Sequence, residues 1–276
     1  RTPTTRSPAS AASAMMRLAS RLSNRVCVTA AAGVALATSS MQSHSQSLAT
    51  QQDDTSDILE WLYADLPDIH EVPLKDVDMI DASGGNQAYG ELTIRGVREI
   101  AALLRPRADD VFVDMGSGAG RCVLQAALEW PCRLSVGVEL SESRHNVAAM
   151  ALARAEPKTQ RRALVLQDDL LTCTGIEDAT IVYVASLLFD DEFMAQLGER
   201  LSSLPRIRAI ATLTRIPPES LGEHFVEDPR NAARSDDQQT LRERVEVTWG
   251  AARVFLYWRE ERCHMDEVGG NRTSHL

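Results

Sequence analysis

Carboxylates recur in this chain at one kind of place. Asp114 closes the run Val111-Phe112-Val113, and Glu139 closes Leu134-Ser135-Val136-Gly137-Val138. Asp168 and Asp169 close Ala163-Leu164-Val165-Leu166-Gln167. Each run is apolar and β-forming, so each acid is expected at the carboxyl end of a buried strand. Between the first two acids stands Gly116-Ser117-Gly118-Ala119-Gly120, and Val123, Leu124, Ala126, Ala127 and Leu128 then recur at helical spacing. A glycine turn there allows positive φ and close approach of a ligand. The helix it opens offers backbone N–H groups. A carboxylate accepts from two neighbouring hydroxyls, so Glu139, 25 residues after Asp114, suits a ribose diol.

The turn does not name its ligand, because dinucleotide sites carry similar glycines. Charge separates the candidates. Acid-rich strand ends repel a pyrophosphate and tolerate a cationic sulfonium. S-adenosyl-L-methionine is therefore expected here rather than NAD. Asp114, Glu139 and Asp169 would then lie along an adenosyl ligand across the sheet edge. The arrangement resembles the class I S-adenosylmethionine-dependent methyltransferases.

The elements that must hold these residues follow in order. Residues 53–66 read as a helix, with Ile58, Leu59, Leu62 and Leu66 on one face and Pro67 at its end. Residues 67–92 read as a loop, and a helix with Val97, Ile100, Ala101 and Leu104 inward follows it. After the second strand, Ser141 caps a helix closed by Pro157. Thr180 to Ser186 is a fourth strand, Asp190 to Leu204 a helix, and Ile207 to Leu213 a fifth strand. Residues 216–244 read as a loop with a short helix. Val245–Trp249 and Val254–Trp258 read as a hairpin turning at Gly250–Arg253. The fold class expected is α/β: a Rossmann-like doubly wound, mostly parallel sheet with a C-terminal antiparallel hairpin strand. The domain plan is a leader over 1–52, a helix and cofactor-covering loop over 53–92, a methyltransferase domain over 93–260 and a polar tail over 261–276.

A second set of motifs is more specific. Tyr89-Gly90-Glu91-Leu92-Thr93, Asp110 to Gly120, Gly137-Val138-Glu139, Val182 to Phe189, and Val247-Thr248-Trp249-Gly250 with Tyr257 together resemble the DOT1-type histone-lysine methyltransferases. The resemblance runs from residue 86 to about 259. It implies that Tyr89, Glu91 and Thr93 line the methionine end of the cofactor. It places Asp114, Gly116, Ser117, Gly118 and Gly120 at the amino-acid portion and Glu139 at the ribose. Asp169 would accept from the adenine amine, and Leu170 would pack on the ring. Phe189, Trp249 and Tyr257 are the candidates for the walls of an apolar channel that admits an uncharged amine, since burial lowers a lysine's pKa. Ser186 would help orient cofactor and amine. The implied activity is transfer of a methyl group to a protein lysine, in this family a histone's. Ala185-Ser186 stand where two Asn are usual, and Arg121 replaces a common Gln. The family's long helical N-terminal portion and basic extension are expected to be absent or short. Two further readings stand beside this one: a methyltransferase for a non-histone protein or small molecule, and a cofactor-binding relative without turnover.

Composition bounds the partners. Residues 1–52 hold five Arg and no Asp, Glu or Lys, so residues 53–276 carry all 39 acids against 24 bases. So acidic a body argues against independent nucleic-acid binding but not against a basic protein substrate. Arg17, Arg21 and Arg25 share one helical face, as in an organellar transit peptide; terminal disorder and a secretory signal are the alternatives. The leader points to a mitochondrion or other organelle, the family to the nucleus. Val26 to Leu36 is 11 residues, too short to span a bilayer, so no membrane partner is expected. The five cysteines are scattered without C-x-x-C spacing, which fits reduced thiols and no metal site. Oligomeric state is not readable from these residues.

Glu139→Ala is expected to weaken S-adenosylmethionine binding by about 1.5–3 kcal/mol, the loss of hydrogen bonds to a charged group. Calorimetric titration checks this, and an unchanged Kd would remove Glu139 from the ribose.

Overall fold

The computed structural model describes residues 54–84, 90–232 and 244–260. The leader 1–52, Tyr89 and the tail 261–276 lie outside the described residues. Nine strands appear among the described residues: β1 (Val111–Met115), β2 (Leu134–Glu139), β3 (Ala163–Gln167), β4 (Ile181–Val184), β5 (Ala209–Thr212), β6 (Phe225–Glu227), β7 (Arg244–Val247), β8 (Gly250–Arg253) and β9 (Phe255–Arg259). Seven of them form one sheet in the order β3-β2-β1-β4-β5-β9-β6. The first five are parallel, and β9 runs antiparallel to both β5 and β6. Strand order reverses between β1 and β4, and a crevice opens outside the carboxyl ends of strands at such a reversal.

β1 is buried on both faces, as a central parallel strand must be. Val111, Val113 and Met115 pack into the cluster that holds Phe193, Leu197 and Leu201 of one helix layer. Phe112 faces the opposite cluster with Val97, Ile100 and Cys122. The alternation puts Asp114 on the Phe112 side, toward the helix that follows the glycine turn.

The helices are α1 (residues 54–63), α2 (Leu74–Ala82), α3 (Ile94–Leu104), α4 (Arg121–Glu129), α5 (Glu142–Arg154), α6 (Pro157–Gln160), α7 (Asp191–Ser203) and α8 (Pro218–Leu221). Their starts follow from capping chemistry. Thr93, Ser141 and Asp190 each accept from an amide of the first turn, at Gly96, Arg144 and Phe193.

Three expectations need correction. The 67–92 segment contains α2, which starts directly after Pro73. Proline there lacks only an N–H that a helix N-terminus leaves unused, so it starts a helix instead of preventing one. The hairpin is β7 with β8, paired Arg244↔Arg253 to Val247↔Gly250, so Thr248 and Trp249 form the turn and Gly250–Arg253 is a strand. Burial decides that register: Val245, Val247 and Ala252 face inward together. β9 leaves the hairpin and joins the main sheet, where it recruits β6 from the segment read as loop.

Below the sheet, at the amino ends of β1, β4 and β5, Asp110 is buried. It accepts from Arg208 Nε at 2.9 Å, Thr180 Oγ1 at 2.7 Å and the Arg107 amide at 2.6 Å. Burial pushes its carboxyl up, but these hydrogen bonds outweigh that and hold its pKa below the ordinary carboxylate value. A depressed folded pKa adds stability above the unfolded value, and this is lost as pH falls through the folded one. Arg208→Ala should cost about 3–5 kcal/mol, because it strands a buried charge. Urea unfolding at neutral pH measures that cost, and the gap between wild type and variant should narrow below about pH 4.

Candidate functional site

The glycine turn forms the floor of a cleft at the carboxyl ends of β1, β2 and β4. Gly116, Gly118 and Gly120 have φ of +83°, +54° and +76°. A Cβ on Gly116 would meet nothing within 4 Å, so conformation and not crowding demands glycine there. The turn's amides are engaged inside the protein. Those of Gly116 and Ser117 donate to Val138 O at 2.8 and 2.9 Å, and Gly120 donates to Ser117 O at 2.8 Å. These groups do not form the anion cradle that a pyrophosphate needs.

The amide of Gly118 fixes the central acid. Gly118 N donates to Glu139 Oε2 at 2.8 Å, and Ser141 N donates to Oε1 at 2.9 Å. Glu139 is buried and lines the cleft. Burial pushes its pKa up, while the two amides and Arg144 pull it down. Each carboxylate oxygen carries further acceptor capacity, so a pair of adjacent hydroxyls has a rigid, preset partner.

The cleft encloses about 430 Å³. Leu140 and Leu170 supply apolar walls, Asp169 lies beside them, and Arg144 brings a positive charge into the lining. Asp169 Oδ1 accepts from Leu171 N at 2.8 Å, which fixes the turn after β3. Toward the glycine turn the cleft adjoins a recess of about 30 Å³, lined by Glu91, Asp114, Ser117, Cys122 and Tyr183 among others. Burial, with Glu139 and Glu91 adding to it, pushes Asp114 up to about 7. The buried hydroxyl of Ser117 has no partner. Two acids in so small a lining, with Glu139 at the adjoining cleft floor, favour an entering cation.

The wall over the recess comes from distant segments. Glu91 N donates to Thr248 Oγ1 at 3.3 Å and Thr248 N to Glu91 O at 2.9 Å. Leu92 bridges Val247, so residues 91–93 extend the β7–β8 hairpin. Trp249 is half exposed, lines the cleft and covers Gly90, where a Cβ would lie 1.6 Å from its ring. On the far rim Leu187 and Leu188 are exposed, and Phe189 stacks on Phe193 at 4.4 Å.

Glu91, Asp114, Gly116, Ser117, Gly118, Glu139, Asp169, Leu170, Phe189 and Trp249 are thus brought to one cleft. Four other residues do not line it. Ser186 is fully buried; its hydroxyl accepts the amides of Leu213 and Thr214 at 3.1 and 2.9 Å, behind Ala185. Thr93 caps α3, with Oγ1 accepting from Gly96 N at 3.1 Å. Gly120 packs on α5, where a Cβ would come 3.0 Å from Ala148 Cβ. Tyr257 accepts from Ile216 N at 2.8 Å in the core. In three of these cases a backbone amide captures the side chain, and at Gly120 the Ala148 side chain fills the space a Cβ would take. Sequence reasoning missed Arg144, and it missed Ile80 and Ser83 of the α2 region, which also line the cleft. The Asp76 and Ile80 spacing on one helical face was the available signal for α2.

α2, the roof of the cleft, is tied to the start of α5 through Lys75, whose Nζ lies 2.6 Å from Glu142 Oε2, and through a buried acid. Asp76, 1% exposed, accepts from Ser141 Oγ at 2.8 Å and from Ser143 N at 2.9 Å. Ser141 therefore touches the roof through its hydroxyl and Glu139 through its amide.

Comparison with known proteins adds the following. The family model described as "Histone methylation protein DOT1" matches residues 80–259. Three similar proteins are each named histone-lysine N-methyltransferase, H3 lysine-79 specific. The Kluyveromyces lactis protein is 37% identical over 70 residues, 25% of this chain and 12% of its own length. That of Eremothecium gossypii is 35% identical over 82 residues, covering 30% and 14%. The Cryptococcus neoformans protein is 27% identical over 207 residues, covering 70% and 32%. The chain thus spans at most about a third of these relatives' lengths.

The Asp76 anchor yields a measurable expectation. Asp76→Ala leaves Ser141 Oγ and the Ser143 amide without their acceptor, a loss of about 1.5–3 kcal/mol confined to the roof. Amide hydrogen exchange over residues 74–82 should speed up about tenfold or more, with the sheet unchanged.

Proposed function

The chain belongs to the DOT1 family, and from that premise we propose that it is an S-adenosylmethionine-dependent methyltransferase acting on the side-chain amine of a protein lysine. The observation that carries the reading is Glu139, buried in the cleft floor and held by two amides with acceptor capacity to spare. The lining fits the cofactor. Leu140 and Leu170 offer apolar surface to a planar base, with Asp169 beside it for the amine. Glu139 receives the ribose diol. Gly116, Ser117 and Gly118 would floor the amino-acid end, and Asp114 and Glu91, which line the recess, would receive its ammonium. Tyr89 joins this end by family resemblance. When bound, the cofactor supplies a methyl group already activated on a positively charged sulfur.

The protein's own task is alignment and exclusion of water. Leu187, Leu188, Phe189 and Trp249 form an apolar mouth. A lysine entering it loses hydration, its pKa falls, and its amine arrives uncharged with the proton left to solvent. Ala185 lines the cleft beside this mouth, and Ser186 holds Ala185's backbone through the loop at Leu213 and Thr214. Ser186 is therefore a positioning residue. The relatives' names direct the substrate proposal to histone H3, and a histone substrate places the protein in the nucleus. The acidic body suits a basic protein partner. A second reading, a non-histone or small-molecule acceptor, is favoured by Ala185, a small apolar residue at the transfer end of the cleft. The Arg-rich, acid-free sequence around Arg17, Arg21 and Arg25 favours an organellar address, which the residence of a tagged full-length copy tests.

The deciding assay incubates the protein with methyl-labelled S-adenosylmethionine and, separately, nucleosomes, free histones and organellar extract. Label on histone H3 lysine is expected. Labelled extract proteins with histones untouched would move the substrate to the second reading. No label anywhere, together with no heat on titrating S-adenosylmethionine, would end the enzyme reading.

A further inference from the structure

Arg121, the first residue of α4, reaches away from the helix toward the segment that walls the recess. Its Nε lies 3.3 Å from Glu91 Oε2. Its guanidinium sits 4.0 Å from the centroid of the Tyr63 ring. Tyr63 is tied to the glycine turn, donating from its hydroxyl to Ala119 O at 2.6 Å. Tyr63 of α1, Arg121 of α4 and Glu91 beside the hairpin thus form one stack from three segments distant in sequence. A guanidinium held between an aromatic face and a carboxylate has little freedom, and its planar fork suits both.

The stack ends at the recess. Glu91 and Asp114 both line it, and Glu139 stands at the adjoining cleft floor. Three carboxylates so close repel one another, and Glu91 is among the causes that raise Asp114. Arg121 is the positive group paired with Glu91, and it approaches from outside the recess. It offsets that repulsion without occupying the space where a ligand's ammonium would enter.

We infer that Arg121 is a positioning residue for the amino-acid end of the methyl donor: it fixes the Glu91 carboxylate at the recess so that Glu91 and Asp114 receive the ligand's ammonium together. The inference rests on the methyl-donor reading above and deepens it. A neutral Gln at this position would neither balance Glu91 nor stack as a cation on Tyr63. The ion pair is partly exposed, with side-chain exposures of 38% and 17%. It contributes little to stability, so its consequence is expected in binding.

The test uses the full chain and two ligands that share the adenosine part. S-adenosylhomocysteine carries the amino-acid end, and 5′-methylthioadenosine lacks it. Calorimetric titration of Arg121→Gln should show about a tenfold loss of affinity for the first ligand and less than about a twofold change for the second. Glu91→Gln should give the same selective pattern. Arg121→Lys, which keeps the charge and loses the fork, should recover part of the loss. Equal losses for both ligands, no loss for either, or no recovery with lysine would overturn the role given to Arg121. A wild-type protein that binds neither ligand would instead overturn the methyl-donor reading, and the role of Arg121 with it.

Discussion

Glu139 is a carboxylate that the fold cannot leave alone. It sits at the tip of a central strand, shielded from water, and a buried charge without partners is costly. Two amides meet that demand, one from Gly118 in the turn after β1 and one from Ser141, the cap of α5. The same Ser141 that offers its amide downward offers its hydroxyl upward to Asp76. Floor, strand tip, helix cap and roof are therefore joined by one chain of hydrogen bonds.

The charges around the cleft follow a consistent logic. Burial, with the neighbouring acids adding to it, presses Asp114 toward neutrality, and the glycine turn directs its amides inward. Such an environment is poor for phosphates and good for a ligand that brings positive charge at its amino-acid end and sulfur. Arg144 and Arg121 moderate the crowding at the two ends of the cleft, one in its lining and one behind Glu91. The other end of the sheet has a separate acid, Asp110, fully paired with Arg208, which serves the strands and not the cleft.

Much of this was legible in the residues. β1, β2, β4 and β5 announce themselves because strands buried on both faces read as unbroken apolar runs, whereas β3, read from a similar run, lies at the sheet edge with Leu164 exposed. α5 and α7 show their caps, Ser141 and Asp190, directly before an apolar periodicity. Acids at strand ends are readable for the same reason, since Glu139 interrupts a run that has no other polar terminus. Side-chain direction in the loops was not legible. Whether Ser186 faces the cleft or the core depends on the amides of Leu213 and Thr214, which lie 27 and 28 residues away. Nor does local sequence show that Thr93 turns onto its own helix, or that α2 sits on Ser141. The hairpin register escaped because Gly250 looks like a turn residue, while burial of Val245, Val247 and Ala252 sets the pairing.

The segment at Glu91 pairs with Thr248 across 157 residues. On a ribosome the five parallel strands and their helices emerge long before that partner does. Contacts between such distant parts of a chain form late. A nascent copy can form β1 to β5, the turn and the strand-tip acid while one side of the pocket still gapes. The pocket acquires its last wall as translation reaches the β7–β8 hairpin, and β9 joins the sheet only after that, so a copy cut short before the hairpin holds the acid and the turn without the enclosure.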